Sequence, residues 1–470
     1  MTFQDTYATG RRTGSSAPYG GRPAAPVPPG RPRRGPGGRR AVAAAFWLGL
    51  VAAVLPWWLA TPPGSLADTT DVLTAAGRIT GLVAGYLLLV QVLMMSRLGV
   101  LERWLGGERL SRVHRDLGAT LLVAVLAHLA LLVVGYARME KNSILGQVGA
   151  LLTHEDMVSA FVAAGFMVTV GFTAVRGVRR RLPYELWYHL HLTSYLALLL
   201  GYGHQFSNGA QLYEPGPVRS GWIAAYQLVV AALVWGRLIA PLRFNLRHRL
   251  RVADVVAESP DTISIYLTGH RLNQIDLLGG QYFRWRFLNP GCWWQSHPFS
   301  LSAAGNGRWL RLTVKVVGGH TAELRDLHPG TRAWAEGPSG TFTAAHRTRE
   351  RALLIAGGSG IAPLRAMLEE LPPGAALIYR ARTPADVLLH HELDWLAQAR
   401  RTSVWYVIGS RDDPGPRQVM SPEGLRRLVP DLTRRDVYLC GPGGLVDEAV
   451  RVLRRAGVPR RQIHLATFEL

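Results

Sequence analysis

His114-Arg-Asp-Leu-Gly-Ala-Thr-Leu-Leu-Val-Ala-Val-Leu-Ala-His128 is the stretch on which the reading of this chain turns. It lies in an apolar run, 113–136, long enough to cross a hydrocarbon core of about 30 Å, which takes about 20 residues of helix. Fourteen residues separate the two histidines. That is about four turns, so both imidazoles share one face, offset by about 40° and about 21 Å apart along the axis. Ionisable groups at membrane depth are costly and point to function.

Five further segments have the same length and character: 41–60, 77–96, 157–176, 186–205 and 221–240. Arginines crowd alternate connections. Arg97, Arg103, Arg109 and Arg112 follow the second segment, Arg179, Arg180 and Arg181 the fourth, and Arg243, Arg247, Arg249 and Arg251 the sixth. The other connections carry acids, among them Asp68, Asp71, Glu155 and Asp156. The positive-inside rule then puts both termini in the cytoplasm. Residues 1–40, rich in Pro, Gly and Ser with eight Arg against Asp5 alone, read as a disordered basic tail. Arg39-Arg40 ahead of an apolar run has the look of a twin-arginine export signal. No small-residue cleavage site follows and further spans come after, so the segment reads as a retained first membrane helix.

The whole chain has 470 residues, a net charge of +21 and 48% hydrophobic residues. A basic soluble nucleic-acid binder rarely combines these, and the arginine-rich tail lacks interleaved aromatics, so nucleic acid is not expected as a partner. The charge is accounted for as an orientation signal and a surface facing anionic lipid. Cys292 and Cys440 are the two cysteines, too few for a disulfide framework, a four-thiolate iron–sulfur cluster or a cysteine-rich zinc site. Redox chemistry would have to use organic cofactors or histidine-ligated metal.

From about Asn245 the pattern changes to short runs of period two, at Thr262–Leu267, Gln281–Phe287, Trp309–Val317 and Arg332–Trp334, as in an antiparallel barrel of about 100 residues. After Arg351 apolar strands at Ala352–Ala356, Ala376–Tyr379, Ser403–Ile408 and Val437–Leu439 alternate with helical stretches, the mark of a parallel sheet. The expected fold is thus a multi-domain membrane protein. A basic tail (1–40) precedes a six-helix transmembrane bundle (41–242), an antiparallel β-barrel (245–346) and an α/β parallel-sheet nucleotide-binding domain (350–470).

The fifth apolar segment contains His189, His191 and His204. One histidine at each depth on two helices would clamp two metal centres stacked across the bilayer, and two bis-imidazole haems fit best, since porphyrin supplies the remaining ligands. Spacing leaves the partner of His204 open. On an ideal helix His189 is offset by about 60° and His191 by about 140°, which favours His189.

Over residues 41–470 this arrangement resembles the ferric reductase and NADPH oxidase superfamily. The resemblance selects His191, because a spacing of thirteen residues is common there. It implies that His114 and His191 hold a cytoplasmic-side haem and His128 and His204 an outer one, with Arg78 near an outer-haem propionate.

In the barrel, Tyr282 and His297-Pro298-Phe299-Ser300 resemble the flavin signature of ferredoxin–NADP reductase-type domains. The resemblance implies FAD, with the Ser300 hydroxyl near flavin N5 and Phe299 beside the ring; many relatives have Arg where His297 stands. Gly318, Gly319 and Thr321 form a glycine turn whose amides suit the flavin pyrophosphate, with Thr321 capping a short helix. Gly357, Gly358, Gly360 and Pro363 follow a parallel strand, where backbone can approach a dinucleotide. Cys440-Gly441-Pro442-Gly443-Gly444 resembles the motif beside the nicotinamide ring. Ser410-Arg411 resembles the pair that binds the extra phosphate of NADPH, an arginine fork suiting a dianion; Arg380 and Arg382 are weaker candidates, and NADH is also possible. Near the end, Phe468 resembles the aromatic that stacks on isoalloxazine. The carboxylate of some relatives is missing before it, since Ala466 and Thr467 stand there.

The expected activity is electron transfer from cytoplasmic NADPH through FAD and two b-type haems to an extracytoplasmic acceptor, ferric chelate or dioxygen. The roles expected of Ser300, Cys440 and Phe468 are catalytic. Two rivals are a haem-free membrane-anchored flavin reductase and a transporter or channel that senses nucleotide.

Overall fold

The computed structural model describes residues 36–62, 64–290, 293, 295–318 and 321–467. It forms two compact units that meet in sequence at Pro241 and Leu242.

The first unit is helical: α1 Pro36–Ala60, α2 Thr69–Met94, α3 Gly99–Leu105, α4 Gly107–Met139, α5 Ile144–Leu151, α6 Met157–Ala174, α7 Arg176–Arg179, α8 Tyr184–Ser207 and α9 Pro217–Val234. A π turn, Trp235–Ile239, and α10, Ala240–His248, follow. Helix α1 begins at Pro36, inside the expected tail, whose residues 1–35 lie outside the described ones. Asp68 starts α2, its carboxylate accepting the Asp71 N–H at 2.8 Å, a bond that satisfies an otherwise orphaned donor. Large apolar side chains such as Leu48, Leu199 and Leu228 face outward, as on helices solvated by lipid.

Among the described residues five helical stretches are long and apolar enough to cross a membrane: Gly37–Ala60, Thr69–Met94, Arg109–Met139, Met157–Ala174 and Pro217–His248. The expected fifth span, α8, is a helix of 24 residues. Its histidines and tyrosines dilute the apolar content, and it is not among these five.

Helix α2 packs along α4, and α6 along α8. Gly77 lets α2 approach closely, since a Cβ there would stand 2.6 Å from a Leu132 methyl; small residues at such seams are how membrane helices gain contact area. Helices α4 and α8, which carry the histidines, make no extensive backbone contact with each other. A slot separates them.

The second unit starts with six short strands: β1 Arg251–Ser259, β2 Thr262–Thr268, β3 Tyr282–Phe287, β4 His297–Ser300, β5 Leu310–Lys315 and β6 Ala333–Ser339. They pair antiparallel as two sheets, β1-β2-β5 and β4-β3-β6. Single bridges, Leu301 with Leu312 and Arg251 with Arg332, join them at both seams. Period two is plain in β3, where Phe283, Trp285 and Phe287 are buried and Tyr282, Arg284 and Arg286 half-buried.

Next come β7 Ala352–Gly357, α11 Ile361–Leu368, β8 Ala376–Ala381, α12 His390–Ala399, β9 Ser403–Ile408, α13 Pro414–Val419, α14 Pro422–Leu428, β10 Asp436–Gly441, α15 Gly443–Arg455 and β11 Ile463–Thr467. Their sheet is parallel throughout, in the order β11-β10-β7-β8-β9. The strand order reverses between β7 and β10, and the carboxyl ends of those two strands flank a crevice of the kind that takes nucleotides. Strands β1, β4 and β11 escape the sequence reading. β1 is interrupted by Asp254 and Glu258, β4 holds Pro298, which an edge strand tolerates, and β11 is a short edge strand.

Candidate functional site

In the helical unit four histidines form two pairs across the slot. His114 faces His191 with ring centres 6.0 Å apart, and His128 faces His204 at 6.5 Å. An ion gripped between two imidazoles, about 2 Å from each nearer nitrogen, would set the ring centres about 6 Å apart. Among the described residues no third His, Cys, Asp or Glu joins either pair, a donor set that suits a metal whose other ligands come from a macrocycle.

The surroundings hold these rings in place. His128 Nδ1 is 2.8 Å from the carbonyl of Gly77, so the proton sits on Nδ1 and Nε2 keeps the lone pair that could coordinate a metal. A Cβ on Gly81 would stand 2.6 Å from that same Nδ1. Gln91 donates to the backbone carbonyl of His114 at 2.9 Å. Trp187 stacks on His191, centres 5.2 Å apart and planes at 17°, and the Arg179 guanidinium lies 4.4 Å over the indole. Arg78, half-buried on α2, follows Gly77 directly. His189 instead contacts Tyr188. The angular preference for His189 is therefore corrected. With α4 and α8 held apart, imidazoles set well to either side of the line joining the axes still meet in the gap, and an ideal-helix offset of about 140° does not keep His191 and His204 from facing one slot.

In the second unit Tyr282 and Ser300 are register partners on β3 and β4. His297 and Phe299 stack at 5.9 Å, Phe299 resting against the core and Pro298 exposed. Gly318 has φ +101°. The Thr321 hydroxyl accepts the Val317 N–H at 3.0 Å and donates to the Gly318 carbonyl at 2.9 Å. Its expected capping role is corrected: the 3-10 turn Glu323–Asp326 has Ala322 before it and no side-chain cap, because the Thr321 hydroxyl is spent on closing the glycine turn. Gly319 lies outside the described residues.

Gly357, Gly358 and Gly360 lead from β7 into α11, with Pro363 buried in its first turn. A Cβ on Gly360 would stand 2.2 Å from the Cys440 carbonyl oxygen. The two motifs thus meet at the crevice, with Gly441 closing β10 and Pro442 preceding α15. Cys440 itself is 1% exposed and packs with Leu354 and Ala356. Its side chain sits in the core at the carboxyl end of β10. Arg411 pairs with Glu448 at 2.9 Å on the surface, and Ser410 N–H donates to Asp413. Arg380 donates to the Val407 carbonyl at 3.0 Å, and burial lowers its pKa against the pull of Glu448 and Asp413. Phe468 lies outside the described residues; Thr467, just before it, pairs with Gly441.

Sequence reasoning misses a buried polar chain between the two-sheet region and the nucleotide domain. Arg311, 1% exposed, grips Glu392 with two bonds of 2.6 and 2.9 Å, and Arg365 reaches the same carboxylate at 2.8 Å. Burial opposes the Glu392 charge, yet the two guanidiniums prevail and hold its pKa at about 2. Burial lowers Arg365 to about 10, with Arg311 adding to the fall. The signals were an arginine inside Leu-Arg-Leu-Thr-Val and another inside an otherwise apolar helix.

Known protein families match the chain in three segments. Residues 80–202 match the family described as ferric reductase like transmembrane component, 248–354 an FAD-binding domain and 354–451 an oxidoreductase NAD-binding domain. The chain is 29% identical over 251 residues to an NADPH oxidoreductase of Mycobacterium tuberculosis, covering 49% of this chain and 62% of that one. It is 32% identical over 189 residues to ferredoxin–NADP reductase B of Sorangium cellulosum, covering 36% and 77%. Among solved structures, a ferredoxin reductase in carbazole 1,9a-dioxygenase aligns at 26% identity and a TM-score of 0.40, covering 47% and 69%. A ferric reductase-like membrane domain joined to FAD- and NAD-binding domains defines a class of membrane oxidoreductases. This chain has the ferric reductase/NADPH oxidase-type architecture.

Proposed function

We propose that the chain transfers electrons from cytoplasmic NAD(P)H, by way of FAD and two b-type haems, to an acceptor outside the cytoplasm, a ferric chelate or dioxygen. The observation that carries this reading is the facing of two histidine pairs, 6.0 and 6.5 Å apart, across one slot. Bound to the chain, FAD would supply the change from hydride to single electrons and the haem irons a one-electron path.

His114 with His191 would hold the inner haem, and His128 with His204 the outer. The Gly77 carbonyl fixes the His128 tautomer, Gly81 leaves room for its ring, and Arg78 suits a propionate. We read α8 as the sixth crossing and the two bridged sheets as a closed barrel. In that barrel Ser300 would offer its hydroxyl to flavin N5 beside Tyr282, His297 and Phe299, while the Gly318 turn would take the pyrophosphate. Gly357, Gly358, Gly360, Gly441 and Pro442 would line the nicotinamide nucleotide at the crevice, Arg411 would meet a 2′-phosphate, and Phe468 would cover the flavin. With arginines following α2, α6 and α9, both termini face the cytoplasm.

An absorption spectrum of the purified chain tests this reading. Dithionite should produce reduced b-type bands at two haems per chain, and NADPH under nitrogen should produce the same bands. A flavin spectrum without haem bands would leave a membrane-anchored flavin reductase.

A further inference from the structure

Helix α11 is buried at every one of its eight residues, including Arg365. Its N-terminus is the Gly357–Gly360 loop, and its body is fastened to the two-sheet region at two places. At one end of the contact, Arg365 Nη1 reaches the Ser302 carbonyl at 3.3 Å and Nη2 the Glu392 carboxylate at 2.8 Å. Arg311 from β5 takes the same two groups, Glu392 through its paired bonds and Ser302 at both its carbonyl and its hydroxyl, 3.0 Å each. The chain of bonds runs on from Ser302 to Thr313 at 2.8 Å and from Thr313 to Ser264 at 2.9 Å. At the other end, Glu370 accepts the Gly279 N–H at 2.7 Å, and a Cβ on Gly279 would stand 2.6 Å from the Met367 backbone nitrogen.

Ser302 stands two residues beyond Ser300, on the continuation of β4. One guanidinium on the nucleotide-loop helix therefore holds the backbone of the flavin-signature strand. Two cations and two anions, Arg311, Arg365, Glu392 and Glu369, balance one another, the arginines and Glu369 buried and the Glu392 side chain 29% exposed. Removing charges from water costs free energy that apolar packing in the same space avoids, so a largely buried ionic cluster is weak evidence for stability.

We propose that Arg311, Glu392 and Arg365 are positioning residues that set the approach of the nicotinamide to the flavin, by locking α11 to the strand that carries Ser300. This rests on the reading of those two sites given under Proposed function. In the transfer concerned, the C4–H bond of the dihydronicotinamide breaks and an N5–H bond forms on the flavin, the electron pair moving with the hydrogen. Donor–acceptor distance governs such a step steeply, whereas the binding of either cofactor does not require the lock.

The test uses the full-length protein in detergent with two variants, Glu392→Gln and the milder Arg365→Lys. Hydrogen exchange read by mass spectrometry, without added nucleotide, should show Ser302 and α11 loosening together at least tenfold in Glu392→Gln and less in Arg365→Lys. Stopped-flow flavin reduction should slow about tenfold with an enlarged isotope effect from C4-deuterated NADPH, while the NADP+ dissociation constant and flavin content stay within twofold. If Glu392→Gln loses its flavin, Arg365→Lys carries both readouts. Loosening of α11 without Ser302, or an unchanged rate and isotope effect in a loosened variant, overturns the proposal. Failure of the parent protein to accept hydride from either nicotinamide would instead overturn the functional reading and leave the exchange result to stand by itself.

Discussion

His128 Nδ1 lies 2.8 Å from the carbonyl oxygen of Gly77 on the neighbouring helix. Because a carbonyl only accepts, the imidazole must carry its proton there, and its other nitrogen keeps the lone pair that could bind a metal. Gly81, one turn on, leaves the ring its room. Replacing Gly81 with valine should therefore expel the His128 ring and cost one haem of two, with FAD content unchanged. The pyridine haemochrome to flavin ratio reads this directly, and a ratio still at two would show that the ring is not held this way.

The choice between His191 and His189 separates two readings of α8. His191→Ala should lose the haem that His114 shares, and His189→Ala should keep both. Redox titration of each variant, one component against two, decides the matter.

Glu370 is buried against Gly279, and burial, only partly offset by the Gly279 N–H, raises its pKa from 4.5 to about 7. The folded form thus binds this proton more tightly than the unfolded one. Its contribution to stability is fully present below pH 4.5 and is lost as pH rises through about 7, an effect of about 3 kcal/mol at most. Thermal unfolding of the parent should weaken over that window relative to Glu370→Gln. Parallel pH profiles for the two proteins would contradict the assignment.

Arg411 is occupied by Glu448 at 2.9 Å, on a surface where such a pair is worth little. A 2′-phosphate would have to compete with that carboxylate. Glu448→Gln should raise the NADPH over NADH ratio of kcat/KM about fivefold, and Arg411→Ala should lower it by as much or more. Steady-state kinetics with both nucleotides checks this, and ratios unmoved in both variants would place the phosphate elsewhere.

Much of this molecule is legible in its sequence because its signals are local. Apolar length marks the helices, a fourteen-residue spacing puts His114 and His128 on one face, and glycine turns after strands mark Gly357 and Gly441. What escapes is set by tertiary placement. An ideal helix turns His191 away from the face of His204, and only the separation of α4 from α8 lets both reach the slot. Thr321 is a fair cap by type, yet its hydroxyl closes a turn. Arg311 and Arg365 stand out in apolar runs, but nothing local in the sequence says that one carboxylate from α12 meets both.

Transmembrane electron flow is tested most directly in sealed vesicles that hold the chain in one orientation, with NADPH supplied at the face of the nucleotide domain and a membrane-impermeant ferric chelate or a superoxide detector enclosed on the other side. Reduction should appear inside the vesicle, and it should vanish in His128→Ala and His204→Ala although NADPH still bleaches the flavin. Reduction across the membrane that persists in both variants, or an acceptor reduced only on the NADPH side, would contradict a path through the outer histidine pair.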